Sequence, residues 1–176
     1  LRAAPEIDYA AVARAKLEML ERLFRHFRDH HLIPGSARAD AFHAFREAQG
    51  EPLRRFALYE AIAEHLAAKA GAAVSLEDWP AAYRDPGSRE VTDLAAARAE
   101  RLDFYAWLQW QAHRQLAAVG RRSLELHLAL GLCEDLAVGA APDGAEVWAE
   151  PDLFVEGATV GAPPDEFSPR GQDWGV

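Results

Sequence analysis

The chain has 176 residues, half of them apolar, and a formal net charge of -9. That length suffices for one buried core but excludes a complete (β/α)8 barrel, which takes about 250 residues. The acidic balance excludes nucleic-acid backbones and anionic membrane surfaces as main partners, because both recruit clustered Lys and Arg, and a neutral partner is expected instead.

Cys133 is the single cysteine, so no internal disulfide forms and the cytoplasm is the expected compartment. The opening residues, Leu1-Arg2-Ala3-Ala4-Pro5, carry no initiator Met and lead into a charged helix rather than an apolar signal core, which reads as an internal start within a longer protein. Charged residues interrupt every apolar run before it reaches the roughly 20 residues of a membrane span.

In chain order, Val12, Leu20, Leu23, Phe24 and Phe27 recur at three- and four-residue spacing and predict an amphipathic helix from Asp8 to about His31, capped by Asp8 and stopped at Pro34-Gly35. Ser36 opens a second helix carrying Phe42 and Phe45 that ends near Gly50. Pro52 suits the first turn of a third, where its missing N–H costs nothing; Phe56, Tyr59, Ile62 and Leu66 form its stripe before Gly71. An irregular connector follows through Trp79-Pro80 and Asp85-Pro86-Gly87. Ser88 then caps a run containing Val91 and Leu94 that breaks near Glu100 and resumes through Phe104, Trp107 and Leu108 to about Leu124.

The texture changes at Leu128. The short apolar run to Cys133, closed by Glu134-Asp135, has the length of a buried strand. Beyond it Gly and Pro become frequent, and long loops are expected with one short turn near Glu146 to Trp148. From Gly139 onward eight carboxylates face Arg170 alone, so these loops hold most of the acidity. The organisation expected is a helical region over residues 1–127 and a strand with its active-site loop over 128–176.

A strand ending in carboxylates and followed by a Gly-, Pro-, Asp- and Trp-rich loop has the texture of an α/β-barrel active-site edge. Sugar sites need carboxylates and amides for hydroxyls and a flat ring for the apolar sugar face. Asp135, Asp165, Phe167, Gln172 and Trp174 supply those types. An Asp ending a strand equally serves as a turn cap, and a loop Trp equally plugs a core. Trp79, Trp107 and Trp110 read as core residues. His26 and His30 lie one helical turn apart without a third ligand at metal-site spacing, so they read as a solvated helix end, and no metal is assigned. Cys133 lacks a Cys-x-x-Cys partner, and no phosphate loop or dinucleotide fingerprint is present, so no cofactor is assigned.

Four blocks, Gly131-Leu-Cys-Glu-Asp135-Leu-Ala-Val-Gly139, Gly144-Ala-Glu-Val-Trp148, Gly161-Ala-Pro-Pro-Asp165 and Gly171-Gln-Asp-Trp-Gly175, resemble in sequence, order and spacing successive blocks of glycoside hydrolase family 77. Phe56-Ala-Leu-Tyr59-Glu-Ala-Ile62, Trp79-Pro80 and Phe104-Tyr-Ala-Trp-Leu-Gln-Trp110 resemble its helical region more loosely. The resemblance implies a 4-α-glucanotransferase, or amylomaltase, in which a (β/α)8 barrel with helical insertions passes α-1,4-glucan segments between maltodextrins.

It further implies that Leu128 to Asp135 is the third barrel strand and that Pro163 to Ser168 arches over the acceptor side. Asp135, Asp165, Phe167, Gln172 and Trp174 then match substrate-binding positions. Many relatives carry Tyr-Arg where this chain has Cys133-Glu134, and an aromatic or apolar residue where it has Glu166, which leaves the detailed acceptor contacts open. Glu134-Asp135-Leu136 superficially resembles the family's acid-bearing Gly-Glu-Asp-Leu-Gly segment. Cys133 replaces the leading Gly, however, and the blocks that follow belong after the third strand.

A retaining transfer needs a nucleophilic carboxylate and an acid about 5 to 5.5 Å apart. The family's Arg-x-Asp-His nucleophile segment is absent, so no catalytic residue is assigned. The expected fold is therefore mainly α with few short strands, a piece of a (β/α)8 barrel plus its helical insertion. The expected partners are α-1,4-glucans, with neither nucleic acid nor membrane, and self-association through the open edges of the excised strand is an additional expectation. The alternative is a non-enzymatic helical interaction module.

Overall fold

The computed structural model describes residues 6–155 and 157–174. The opening pentapeptide, Glu156 and the Gly175 that closes the last block lie outside the described residues. Six helices dominate: α1 (Tyr9–His30), α2 (Ala37–Ala70), α3 (Ala81–Arg84), α4 (Arg89–Ala97), α5 (Ala99–Glu125) and α6 (Ala145–Ala149). Two-residue strands β1 (Gly161–Ala162) and β2 (Gln172–Asp173) complete the order.

Local chemistry sets the helix ends. The Asp8 carboxylate accepts from the Ala11 amide at 2.9 Å, and the Ser88 hydroxyl accepts from Val91 at 3.1 Å, each satisfying a donor that the first helical turn leaves unpaired. Gly71 closes α2 with φ 76°, a left-handed cap that favours glycine. The second and third expected helices run on as α2 but are divided at Gly50, whose φ of 56° and ψ of -138° are not helical. Pro52 follows in the first turn of the second half. The break between α4 and α5 falls at Arg98.

The core forms where α1, α2 and α5 meet. Phe24 and Phe27 from α1 reach Phe104 and Trp107 of α5 at ring separations of 5.5 and 6.0 Å, and Phe42 of α2 packs edge-on against Phe27 at 5.7 Å. Leu58, Ile62 and Val91 fill the remaining space. Trp79, Trp107 and Trp110 are all buried, as expected of core residues. On the polar side, Arg101 of α5 bridges Glu21 of α1 at 2.9 Å and Glu64 of α2 at 2.5 Å, and the Tyr105 hydroxyl donates to Glu64 at 2.7 Å.

The expected strand at Leu128 to Cys133 is not formed. After α5 the chain runs through Leu126–Asp135 as irregular backbone, with positive φ at His127 and Gly131. Leu130 is 94% exposed, and Leu128 and Leu132 are exposed as well. A strand buried on both faces is held by ladders on both edges, and the only sheet among the described residues is the β1–β2 pair. The run is apolar enough to be such a strand but pairs with no other strand among the described residues.

From Asp143 the chain returns to the helical body. The short turn expected near Glu146 to Trp148 is helix α6, and it packs on α2. Trp148 is 2% exposed. It packs with Trp79 and Tyr59 at 6.5 and 6.1 Å.

Candidate functional site

Four of the five candidate sugar-contact residues share one hairpin. β1 pairs antiparallel with β2, Gly161 opposite Asp173 and Ala162 opposite Gln172, and the Trp174 amide donates to the Val160 carbonyl at 2.9 Å. Gly171 turns the returning chain with φ 72°, and a Cβ there would lie 2.6 Å from the Ala162 carbonyl oxygen. A Cβ on Gly161 would lie 2.0 Å from the Gln172 oxygen. Glycine at both places lets the two backbones approach closely.

Asp165 organises the hairpin tip. Its Oδ1 accepts from the amides of Phe167 and Ser168 at 2.8 and 2.5 Å, while its own amide donates to the Ser168 carbonyl at 3.1 Å. This is the turn-capping use of Asp that its residue type also permitted, and it leaves Oδ2 as the oxygen outside those bonds. The turn drives the Phe167 ring outward, 96% exposed. At the other end Trp174 is half-exposed, and its indole N–H donates to the Gln172 side-chain oxygen at 3.1 Å. That bond fixes the amide relative to the ring face.

Asp135 stands apart. It is exposed on the irregular segment, and none of the hydrogen bonds or ion pairs formed by the described residues joins it to the hairpin. Cys133, two positions before it, is also exposed. In the helical body, the His26 and His30 rings stack at 4.3 Å, with His30 Nδ1 3.0 Å from the His26 carbonyl. Among the described residues no group of three His, Cys, Asp or Glu side chains converges to hold a metal. Two hollows open between helices, one lined by Glu21, Arg25, Glu64 and Arg101, the other at the Gly50 bend. Neither is lined by any of the five candidates.

The sequence reading missed the tie that holds this acidic segment in place. Asp143 Oδ1 accepts from the Ser75 hydroxyl at 2.9 Å and from the Leu76 amide at 3.0 Å, and its main-chain carbonyl accepts from the Tyr59 hydroxyl. Burial foremost, then the charges of Glu60, Asp143 and Glu146, push the Tyr59 phenol above its ordinary pKa, so it stays protonated and donates. Arg55 donates to the Ala149 carbonyl at 2.5 Å and to Glu150 at 2.6 Å. The Trp148 indole donates to the Tyr83 carbonyl at 2.7 Å. The sequence carries no local signal of this, since each partner lies 65 or more positions away.

Exposed rings, a side-chain amide and a carboxylate on a short hairpin can meet both the hydroxyls and the apolar face of a sugar ring. The family profile of 4-alpha-glucanotransferase matches residues 1–176. The 4-alpha-glucanotransferase of Mycobacterium tuberculosis strain H37Rv is 41% identical over 145 residues, covering 82% of this chain and 19% of that protein. The enzyme of that name from Haemophilus influenzae is 30% identical over 181 residues, covering all of this chain and 26% of its own length. The one from Thermus thermophilus is 31% identical over 175 residues, covering 96% and 33%. The chain belongs to the 4-alpha-glucanotransferase family, glycoside hydrolase family 77. It spans between about a fifth and a third of the length of these relatives. No helix among the described residues is long and apolar enough to cross a membrane.

Proposed function

We propose that this chain is the glucan-contact part of a cytoplasmic 4-α-glucanotransferase that moves α-1,4-glucan segments between maltodextrins by a retaining double displacement. In this reading residues 1–127 are the helical insertion. Residues 128–176 carry a barrel strand, which takes up ladder partners in the whole protein, and the loop over the acceptor side. The observation that carries the reading is the hairpin, which groups Asp165, Phe167, Gln172 and Trp174 within one turn-closed unit. Trp174 and Phe167 offer ring faces, Gln172 and Asp165 offer polar groups for hydroxyls, and Asp135 joins them once the strand is paired. Family membership supplies the substrate class, and the exposed ring faces suit it.

The chain has no Arg-x-Asp-His segment, so by itself it binds glucan and transfers nothing. Maltotriose supplied to the 176-residue chain then remains maltotriose, whereas the full-length parent converts it to glucose and longer maltodextrins. Titration of maltoheptaose into the full-length protein provides the second arm. Trp174→Ala and Asp135→Ala should each weaken binding about five- to tenfold, the loss of roughly 1 kcal/mol of ring or hydrogen-bond contact. Unchanged affinity in both variants, or transfer by the isolated chain, overturns the assignment.

A further inference from the structure

Asp143 is not among the residues assigned a sugar contact, yet it anchors the stretch that leads to the hairpin carrying four of them. One carboxylate oxygen takes two donors, Ser75 and Leu76, from the connector after α2, and its carbonyl takes a third, Tyr59, from α2 itself. Within the next seven residues Trp148 is buried against Trp79 with its indole bonded to Tyr83, and Arg55 closes on Ala149 and Glu150. On both sides of this grip the chain is exposed, from Leu132 to Val138 before it and from Leu153 to Val155 after it.

The grip changes how far the hairpin can wander. Ungripped, residues 126–160 are one tether between α5 and β1, and a flexible tether of about 35 residues has a root-mean-square reach of roughly 33 Å. Gripped over 143–150, the tether to β1 shrinks to residues 151–160, where about ten residues reach roughly 17 Å. Part of that remainder is itself ordered as a 3-10 turn, Pro151–Leu153. The ordering is therefore done by the helical body through residues that are not among the candidate sugar contacts.

We infer that Asp143 is a positioning residue for glucan transfer, fixing residues 143–150 to the helical body so that the Asp165–Trp174 hairpin meets the acceptor sugar in place. The inference rests on the reading of that hairpin as a glucan surface. Asp143 touches no substrate in this assignment. A residue that acts through placement of a binding loop alters the KM for the acceptor more than kcat.

The test uses the full-length parent protein with Asp143→Ala, Asp143→Asn and Tyr59→Phe, measuring acceptor KM, kcat and amide hydrogen exchange over residues 157–174. Asn retains an oxygen able to accept from Ser75 and Leu76, so it serves as the conservative rescue. Asp143→Ala should raise the acceptor KM about fivefold or more with kcat within about twofold. It should also speed exchange in the hairpin while α2 and α5 keep their protection, and Asp143→Asn should restore both readouts. An unchanged KM, an equal defect in Asp143→Asn, or unchanged hairpin exchange overturns the inference. Should Asp143→Ala fail to fold, Tyr59→Phe carries the same expectation, since it removes a single hydroxyl. If the wild-type parent transfers no glucan, the functional reading fails, and hairpin exchange alone then decides whether Asp143 positions it.

Discussion

The indole N–H of Trp148 donates to the main-chain carbonyl of Tyr83 at 2.7 Å, so a residue from the acidic C-terminal third completes the core of the helical body. Trp148→Phe keeps a ring in the pocket but loses the bond, and unfolding free energy should fall by about 1 kcal/mol plus the smaller volume effect. Trp148→Ala empties the pocket and should cost about 3–5 kcal/mol. Urea unfolding of the two variants beside wild type measures the difference. Equal losses would show that the hydrogen bond, not the ring, holds α6.

Tyr105 gives the stability a defined alkaline limb. Burial foremost, then its bond to the Glu64 carboxylate, raise its phenol above the ordinary tyrosine value, while Arg101 pulls the other way. In the folded chain the proton is retained at pH values where the unfolded chain has lost it. The native state then binds more protons, and stability falls as pH rises past about 10. Below that window this group contributes no slope. Thermal midpoints between pH 8 and pH 11 should decline more gently in Tyr105→Phe than in wild type. Tyr59→Phe provides the comparison, because the Tyr59 phenol is raised as well.

Gly161→Ala should separate the hairpin from the fold. The added Cβ would sit 2.0 Å from the Gln172 oxygen, which is backbone and has no flexible end to move. The strand pair must open, whereas none of the core residues belongs to it. Amide exchange across residues 161–173 should accelerate while the helical circular dichroism signal is retained. Gly171→Ala should act in the same direction, for its φ of 72° as well as the 2.6 Å approach to Ala162.

Phe167 isolates binding from folding. A ring 96% exposed has almost no buried surface to lose, so Phe167→Ala should change unfolding free energy by less than about 0.5 kcal/mol. If the hairpin contacts glucan, the same substitution should weaken maltodextrin binding severalfold, in keeping with an aromatic contact of about 0.5–1.5 kcal/mol. Calorimetric titration of the full-length variant reads the binding, and its melting curve reads the stability.

What the sequence disclosed divides by range. Asp8, Ser88 and Gly71 announce helix ends because a cap acts over three or four residues, and the structure places all three as caps. The stripes that hold Phe24 and Phe27 on α1 and Phe104 and Trp107 on α5 are equally local, and each marks the face that enters the core. The bonding of Asp143 and the burial and bonding of Trp148 went undisclosed, because their partners lie 65 to 84 positions away. Leu128–Cys133 misled for a related reason. Apolar content and length mark a segment that wants two strand neighbours, yet neither property supplies them, and the run is left irregular and exposed. In the hairpin, Asp165 has the residue type of a sugar contact, yet one of its oxygens is taken up by the turn.

The exposed Cys133 is the sole thiol in the sequence and stands two positions before Asp135. A maleimide fluorophore added to this chain therefore has one address, on the irregular segment where a strand was expected. Emission from that label distinguishes a solvent-bathed segment from one taken into a sheet, and it does so without altering any residue of the hairpin.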